Sequence, residues 1–203
     1  DCRLRLVLAP AGFGKSVLLG ECVRLCPSDC TLLWLNLAGQ ACSAAQLEQR
    51  LALALGYGDT LPAGTLPERL SEDRRRLWIM LDDYPRIPDP ELDSYLERLL
   101  NASPASLNWW LSSRRRPVCN LPRLLLEGEL LELGAQQLAF TQDELRQWLQ
   151  LSGVSDQHLA ALWTCSAGWV AALRLLSREG EQALLQGAVV SRLLDEYVEH
   201  EVL

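Results

Sequence analysis

Residues 4–16, Leu4-Arg-Leu-Val-Leu-Ala-Pro-Ala-Gly-Phe-Gly-Lys-Ser16, decide the fold. An apolar run from Leu4 to Ala9 enters a turn with Gly12 and Gly14, and a helical pattern runs from Lys15 to about Cys26. Strand, glycine turn and helix N-terminus in that order form an anion cradle. Glycines let main-chain N–H groups turn inward without side-chain bulk, and the positive end of the helix dipole adds to them. The spacing is that of a phosphate loop, with Ala9 in place of the usual first glycine. It makes Pro10, Ala11, Gly12, Phe13, Gly14, Lys15, Ser16 and Val17 the candidate nucleotide-binding residues. Lys15 would reach the β- and γ-phosphates, and the Ser16 hydroxyl would coordinate Mg²⁺. Lysine and arginine together number 19, and Lys15 is the single lysine. A compact ammonium is thus kept at the one position where it suits phosphate better than a planar guanidinium.

Outward from this loop, strand and helix patterns alternate. Thr31–Leu37 reads as a second strand. Ser43 caps a helix with Leu47, Leu51 and Leu55 on one face, ended by Gly56. Residues 58–67 read as a loop. Leu77–Leu81 is a third strand, Asp89-Pro90-Glu91 opens a helix bearing Leu92, Leu96, Leu99 and Leu100, and Leu107–Leu111 and Leu130–Leu133 are a fourth and fifth strand. Near-continuous apolar strands separated by helices predict an α/β fold, a three-layer P-loop NTPase sandwich with about five mostly parallel strands. Beyond residue 138 the strand signals stop. Thr141-x-x-Glu144 is a capping box before Leu145, Trp148 and Leu149, and helical patterns follow from Ser155, over 169–177 and over about 181–203. The expected domains are residues 1–137 for nucleotide binding and 138–203 for a small all-helical domain.

A phosphate loop needs a carboxylate for the metal. The third strand ends in Asp82-Asp83, so Asp82 is the candidate Mg²⁺ residue beside Ser16, and Asp83 the group that polarises or orients attacking water. The fourth strand runs into Ser112-Ser113-Arg114-Arg115-Arg116. The C-terminal edges of such strands line one crevice, which makes Arg114 the candidate γ-phosphate sensor. Arg74–Arg76 precede a strand on the opposite edge and read as a solvated face. Trp109 and Trp110 read as core on the two faces of one strand.

The remaining signals bound the function. The formal charge of −7 argues against a nucleic-acid patch in this segment. No apolar run reaches the ~18 residues of a membrane span, and no signal peptide pattern is present. Cys22, Cys26 and Cys30 lack the paired spacing of a zinc site, and seven scattered cysteines suit a reducing cytoplasm. His158 and His200 stand apart from any nucleophile pattern. The start at Asp1 and the stop inside an apolar pattern at Leu203 suggest a fragment. Two other classes remain open beside a nucleotide switch. One is a P-loop metabolic enzyme such as a small-molecule kinase, which would need a lid. The other is an interaction module that no longer binds nucleotide.

APAGFGKS, LLWLNL, LWIMLDDY, LSSRRRP, LPRLLLEGELLELGAQQLAFTQDEL and AGWVAALRLLS occur in that order over nearly the whole chain. This combination resembles the large ATP-binding LuxR-type transcriptional regulators (the MalT-like group), which belong to the STAND class of P-loop ATPases. The resemblance implies an ATP/ADP switch with Mg²⁺, in which ATP binding permits self-association and transcription activation, and slow hydrolysis resets the protein. It implies Walker A roles for Lys15 and Ser16, Walker B roles for Asp82 and Asp83, and a sensor role for Arg114. An unidentified small-molecule inducer, DNA and RNA polymerase would be engaged only through domains outside this chain, in the cytoplasm and without a membrane. Gly168-Trp169-Val170 falls where related proteins have Gly-x-Pro, with Val170 in place of proline. Glu127 stands where the family often has arginine.

Overall fold

The computed structural model describes residues 2–58, 61–151 and 159–178. Five strands form one sheet: β1 (Leu4–Leu8), β2 (Thr31–Asn36), β3 (Leu77–Asp82), β4 (Leu107–Ser113) and β5 (Leu130–Gly134). Their order is β2-β3-β4-β1-β5. The ladders β2/β3, β3/β4 and β4/β1 are parallel. β4 therefore lies between the phosphate-loop strand and the strand that ends in the acids. The register sets Leu8 opposite Ser113 and Leu81 opposite Leu111, so these strand ends share one edge.

The helices are α1 (Lys15–Val23), α2 (Ala44–Ala54), α3 (Leu66–Glu72), α4 (Pro90–Ala102), α5 (Leu121–Leu126), α6 (Ala135–Leu138), α7 (Gln142–Leu151), α8 (Leu159–Ser166) and α9 (Val170–Arg178). Local chemistry sets their ends. Ser43 Oγ accepts from the Gln46 amide while Gln46 Oε1 accepts from the Ser43 amide, the reciprocal box that starts α2. The Asp89 carboxylate accepts from the Glu91 and Leu92 amides, and Pro90 takes the first helical position of α4. α1 stops at Val23, short of the expected Cys26. Its last turn tightens, Leu25 donating to Cys22 O and Cys26 to Val23 O, and Pro27 disfavours helix at the residue before it.

Three short helices, α3, α5 and α6, occupy stretches the pattern left without helix. α3 begins inside the expected 58–67 loop, with Pro67 in its first turn, where a missing N–H costs nothing. α5 is capped by Asn120 with Pro122 in its first turn. β4 reaches Ser113 rather than Leu111.

The chain divides into two compact units, one of residues 1–8 and 15–133, the other of residues 9–14 and 134–203. The first unit is built on leucine. Leu4, Leu6, Leu47, Leu51, Leu77, Ile79, Leu81, Leu92, Leu96, Leu99 and Trp109 share one buried cluster. Each fully buried leucine contributes about 1.5–3 kcal/mol. Trp110 is also buried. In the second unit Leu145, Leu149, Leu162 and Leu173 form a smaller cluster, with Phe140, Trp148 and Trp163 packed against it. Thr141 and Glu144 cap α7 reciprocally. The helices expected from Ser155 and over 181–203, together with His158 and His200, lie outside the described residues, save that the first reappears as α8. No helix among the described residues is long and apolar enough to cross a membrane.

Candidate functional site: a phosphate loop and an acidic strand end

Within the first unit the end of β3 is held from both sides. Leu37 donates to Asp82 O and Gly39 to Asp83 O from the β2 side, while Tyr84 donates to Ser112 O on the β4 side. Asp82 is 3% exposed. Its Oδ1 accepts from Ser16 Oγ at 3.0 Å and from Ser112 Oγ at 2.5 Å. The Asp83 amide points into the same group, donating to Asp82 Oδ1 at 3.0 Å and to Ser112 Oγ at 2.8 Å. Asp83 adopts φ 49, a left-handed conformation that aspartate tolerates better than most residues. The residue after the strand is thereby swung away from the β direction.

The Asp83 carboxylate lies between two arginines, with Arg114 Nε at 3.6 Å and Arg86 Nη2 at 3.7 Å. Gly39, at φ 62, leaves room for this arrangement, because a Cβ there would strike the Arg86 side chain. Lys15 opens α1 and is 8% exposed. Burial lowers its ammonium from 10.5 to about 8, and the positive charge of Arg114 adds to this. The carboxylates of Asp83 and Asp82 pull it back only in part. A phosphate placed beside this buried ammonium would offset the burial that lowers it. The serine hydroxyl and the aspartate carboxylate are hard oxygen donors of the kind Mg²⁺ takes.

Arg115, the neighbour of the candidate sensor, has a structural job. It makes a bidentate pair with Asp93 at 2.8 and 2.9 Å and donates from Nε to Pro85 O. Tyr84 Oη and the Val118 amide also donate to Asp93. Burial alone would raise the Asp93 carboxyl, but Arg115 and these donors outweigh it and hold it below its ordinary value. Burial beside that carboxylate raises the Tyr84 phenol. This network ties the turn after β3 to the turn after β4. Arg116 pairs with Glu132. Arg75 and Arg76 pair with Asp73 and Asp29 at the other end of β3.

The loop residues 9–14 belong to the second unit. Gly12 and Gly14 take φ 76 and 77, which L side chains rarely adopt. Ala9 and Ala11 are buried, and the Phe13 ring stacks on Trp169 with centroids 6.2 Å apart. Ala11 O accepts from Trp169 Nε1 at 3.0 Å, and Gly12 O accepts from the Ala171 amide at 3.0 Å. Pro10 and the Val17 side chain are exposed. The sequence reading singled out Lys15, Ser16, Asp82, Asp83 and Arg114, which the first unit brings together. It missed Ser112, which orients Asp82, and Arg86, which flanks Asp83. A hydroxyl at a buried strand end was the available signal for Ser112; Arg86 follows Pro85 in what reads as an ordinary turn. Among the described residues no group of three or more His, Cys, Asp or Glu side chains could hold a metal by themselves.

A five-stranded sheet with a glycine loop between β1 and α1 defines an α/β P-loop NTPase-like fold. No protein-family model matches the chain. The chain is similar to the HTH-type transcriptional regulator MalT of Klebsiella pneumoniae, at 27% identity over 89% of this chain and 22% of that protein. The Serratia proteamaculans MalT is 28% identical and the Cronobacter sakazakii MalT 27%, with the same coverage. The chain thus spans 22% of the length of these curated relatives. Among solved structures, one of Drosophila ORC bound to AT-rich DNA and Cdc6 aligns with 97% of this chain and 76% of that chain, at TM-score 0.45 and 13% identity. One of Drosophila ORC bound to GC-rich DNA and Cdc6 aligns with 98% and 77%, at TM-score 0.46 and 13% identity.

Proposed function

We propose that this chain is the nucleotide-binding switch segment of a larger LuxR-type transcriptional regulator of the STAND class. It takes ATP and ADP with Mg²⁺, self-associates in the ATP state and hydrolyses ATP slowly to reset. The observation that carries this reading is the convergence of Ser16, Asp82, Asp83 and Arg114 around the buried Lys15. The similarity to MalT regulators supports the regulatory side of it.

In this reading Lys15 neutralises the terminal phosphates, with the main-chain N–H groups of residues 11–17 as the cradle. Ser16 and Asp82 hold Mg²⁺, which neutralises phosphate charge when bound. Ser112 fixes the Asp82 carboxylate. Asp83 orients water, and Arg114 leaves Asp83 for the γ-phosphate, so that it discriminates ATP from ADP. Residues 1–137 form the nucleotide-binding domain and 138–203 the helical domain; the division of compact units near residue 133 supports a break in this region. DNA, RNA polymerase and inducer contacts belong to the rest of the cytoplasmic regulator. Titration with ATP in the presence and absence of Mg²⁺ tests the assignment. Asp82→Ala should remove the Mg²⁺-dependent part of the affinity, and an unchanged Mg²⁺ dependence would defeat it.

A further inference from the structure

Ala11, Gly12 and Phe13 of the phosphate loop are held by α9 and the turn before it, within the second unit. That turn is tightly specified. Ala167 and Gly168 both take left-handed φ, 46 and 79. The Gly168 amide donates to the buried Ser166 hydroxyl at 3.2 Å, Gly168 O accepts from Phe140 N at 2.9 Å, and a Cβ on Gly168 would strike the Phe140 carbonyl. The turn delivers the Trp169 indole to the loop, where its N–H donates to Ala11 O and its ring lies against Phe13 at an interplanar angle of 23°. The Ala171 amide belongs to the first turn of α9, whose N–H groups have no partner within the helix, and it takes Gly12 O.

The consequence follows from peptide geometry. None of the peptide bonds among the described residues is cis, so a carbonyl and the N–H of the next residue point in opposite directions. Holding Ala11 O sets the direction of the Gly12 N–H, and holding Gly12 O sets that of the Phe13 N–H. A loop with glycines at 12 and 14 would otherwise sample many conformations. Fixing its carbonyls on one side preorganises its amide donors on the other.

We propose that Trp169 is a positioning residue for the phosphate loop, through which the packing of the helical unit sets how fast a bound nucleoside diphosphate is released. This inference rests on the nucleotide-binding reading above and adds a route of control to it. A signal that disturbs the 166–171 segment frees the loop carbonyls, loosens the amide donors and lets diphosphate go, with no change to Lys15 or Asp82.

The test uses the chain as it stands, loaded with mant-ADP and chased with unlabelled ADP in a stopped-flow fluorimeter. Trp169→Phe keeps a ring for Phe13 and deletes only the indole donor. It should release mant-ADP about 2- to 10-fold faster, the amount one hydrogen bond supplies, with unaltered circular dichroism. Trp169→Ala should release it faster still. Trp163→Phe, a change in the helical core, should stay within about 2-fold of wild type, since it leaves these hydrogen bonds intact. A wild-type rate in Trp169→Phe, or an equal acceleration in Trp163→Phe, would overturn the positioning role and leave nucleotide binding standing. Failure of the wild-type chain to bind mant-ADP would overturn both.

Discussion

Raising the pH offers a perturbation that removes the charge of Lys15. Lys15 titrates near 8 in the chain without nucleotide because burial and Arg114 oppose its charge. Phosphate oxygens beside it restore the charge, so a bound-state value at or above the ordinary 10.5 is expected. The sign is then fixed. Binding takes up a proton above pH 8, and affinity falls as pH rises through the window between the two values. Between pH 7.5 and 9.5 the linkage amounts to roughly a 20-fold loss of ADP affinity, approaching about 300-fold above pH 10.5. Calorimetric titration in buffers of different ionisation enthalpy reads both the affinity and the proton count. Lys15→Arg places a group that stays charged throughout this range and should flatten the dependence. An affinity independent of pH in the wild type, or the same slope in Lys15→Arg, would refute the coupling of Lys15 to phosphate.

Further expectations concern the sensor, the network behind it and the turn that carries Trp169. Arg114→Ala should narrow the preference between ATP and ADP while leaving ADP affinity nearly unchanged, as measured by competition against mant-ADP. Asp93→Asn leaves the Arg115 guanidinium without its buried counter-charge and should cost about 3–5 kcal/mol in urea unfolding. Because the Asp93 carboxyl is held below its ordinary 3.8, its contribution is full above pH ~4 and is lost as pH falls through the folded value, so acid unfolding of the variant should be shallower. Gly168→Ala forces a side chain into the Phe140 backbone at a left-handed φ and should destabilise the helical unit by roughly 1–3 kcal/mol, read as a lower Tm.

Much of this molecule was legible before any coordinates. β1 to β5 declared themselves by apolar runs, and α2, α4 and α7 by caps that the structure reproduces in their hydrogen bonds. What escaped did so for identifiable reasons. The leucine-rich stretch 121–126 has no polar face to show a helical period, and apolar runs of that length do not separate helix from strand. Pro67 looked like a loop residue because its place in a first helical turn depends on where α3 begins. Arg115 could not be told from Arg114 without Asp93, which lies 22 residues earlier on another element. Ser112 acquires meaning only through the register that sets β4 beside β3. The Trp169 clasp joins residues 158 apart, and local pattern carries no trace of it.

The central claim is that the residues around Lys15 form a nucleotide site. Titrating ADP with Mg²⁺ into the wild-type chain and into Lys15→Ala at pH 7.5 addresses it most directly. Saturable binding by the wild type, with affinity lost in Lys15→Ala while the fold is kept, is the expected result. Equal binding by both chains, or none by the wild type, would contradict the account.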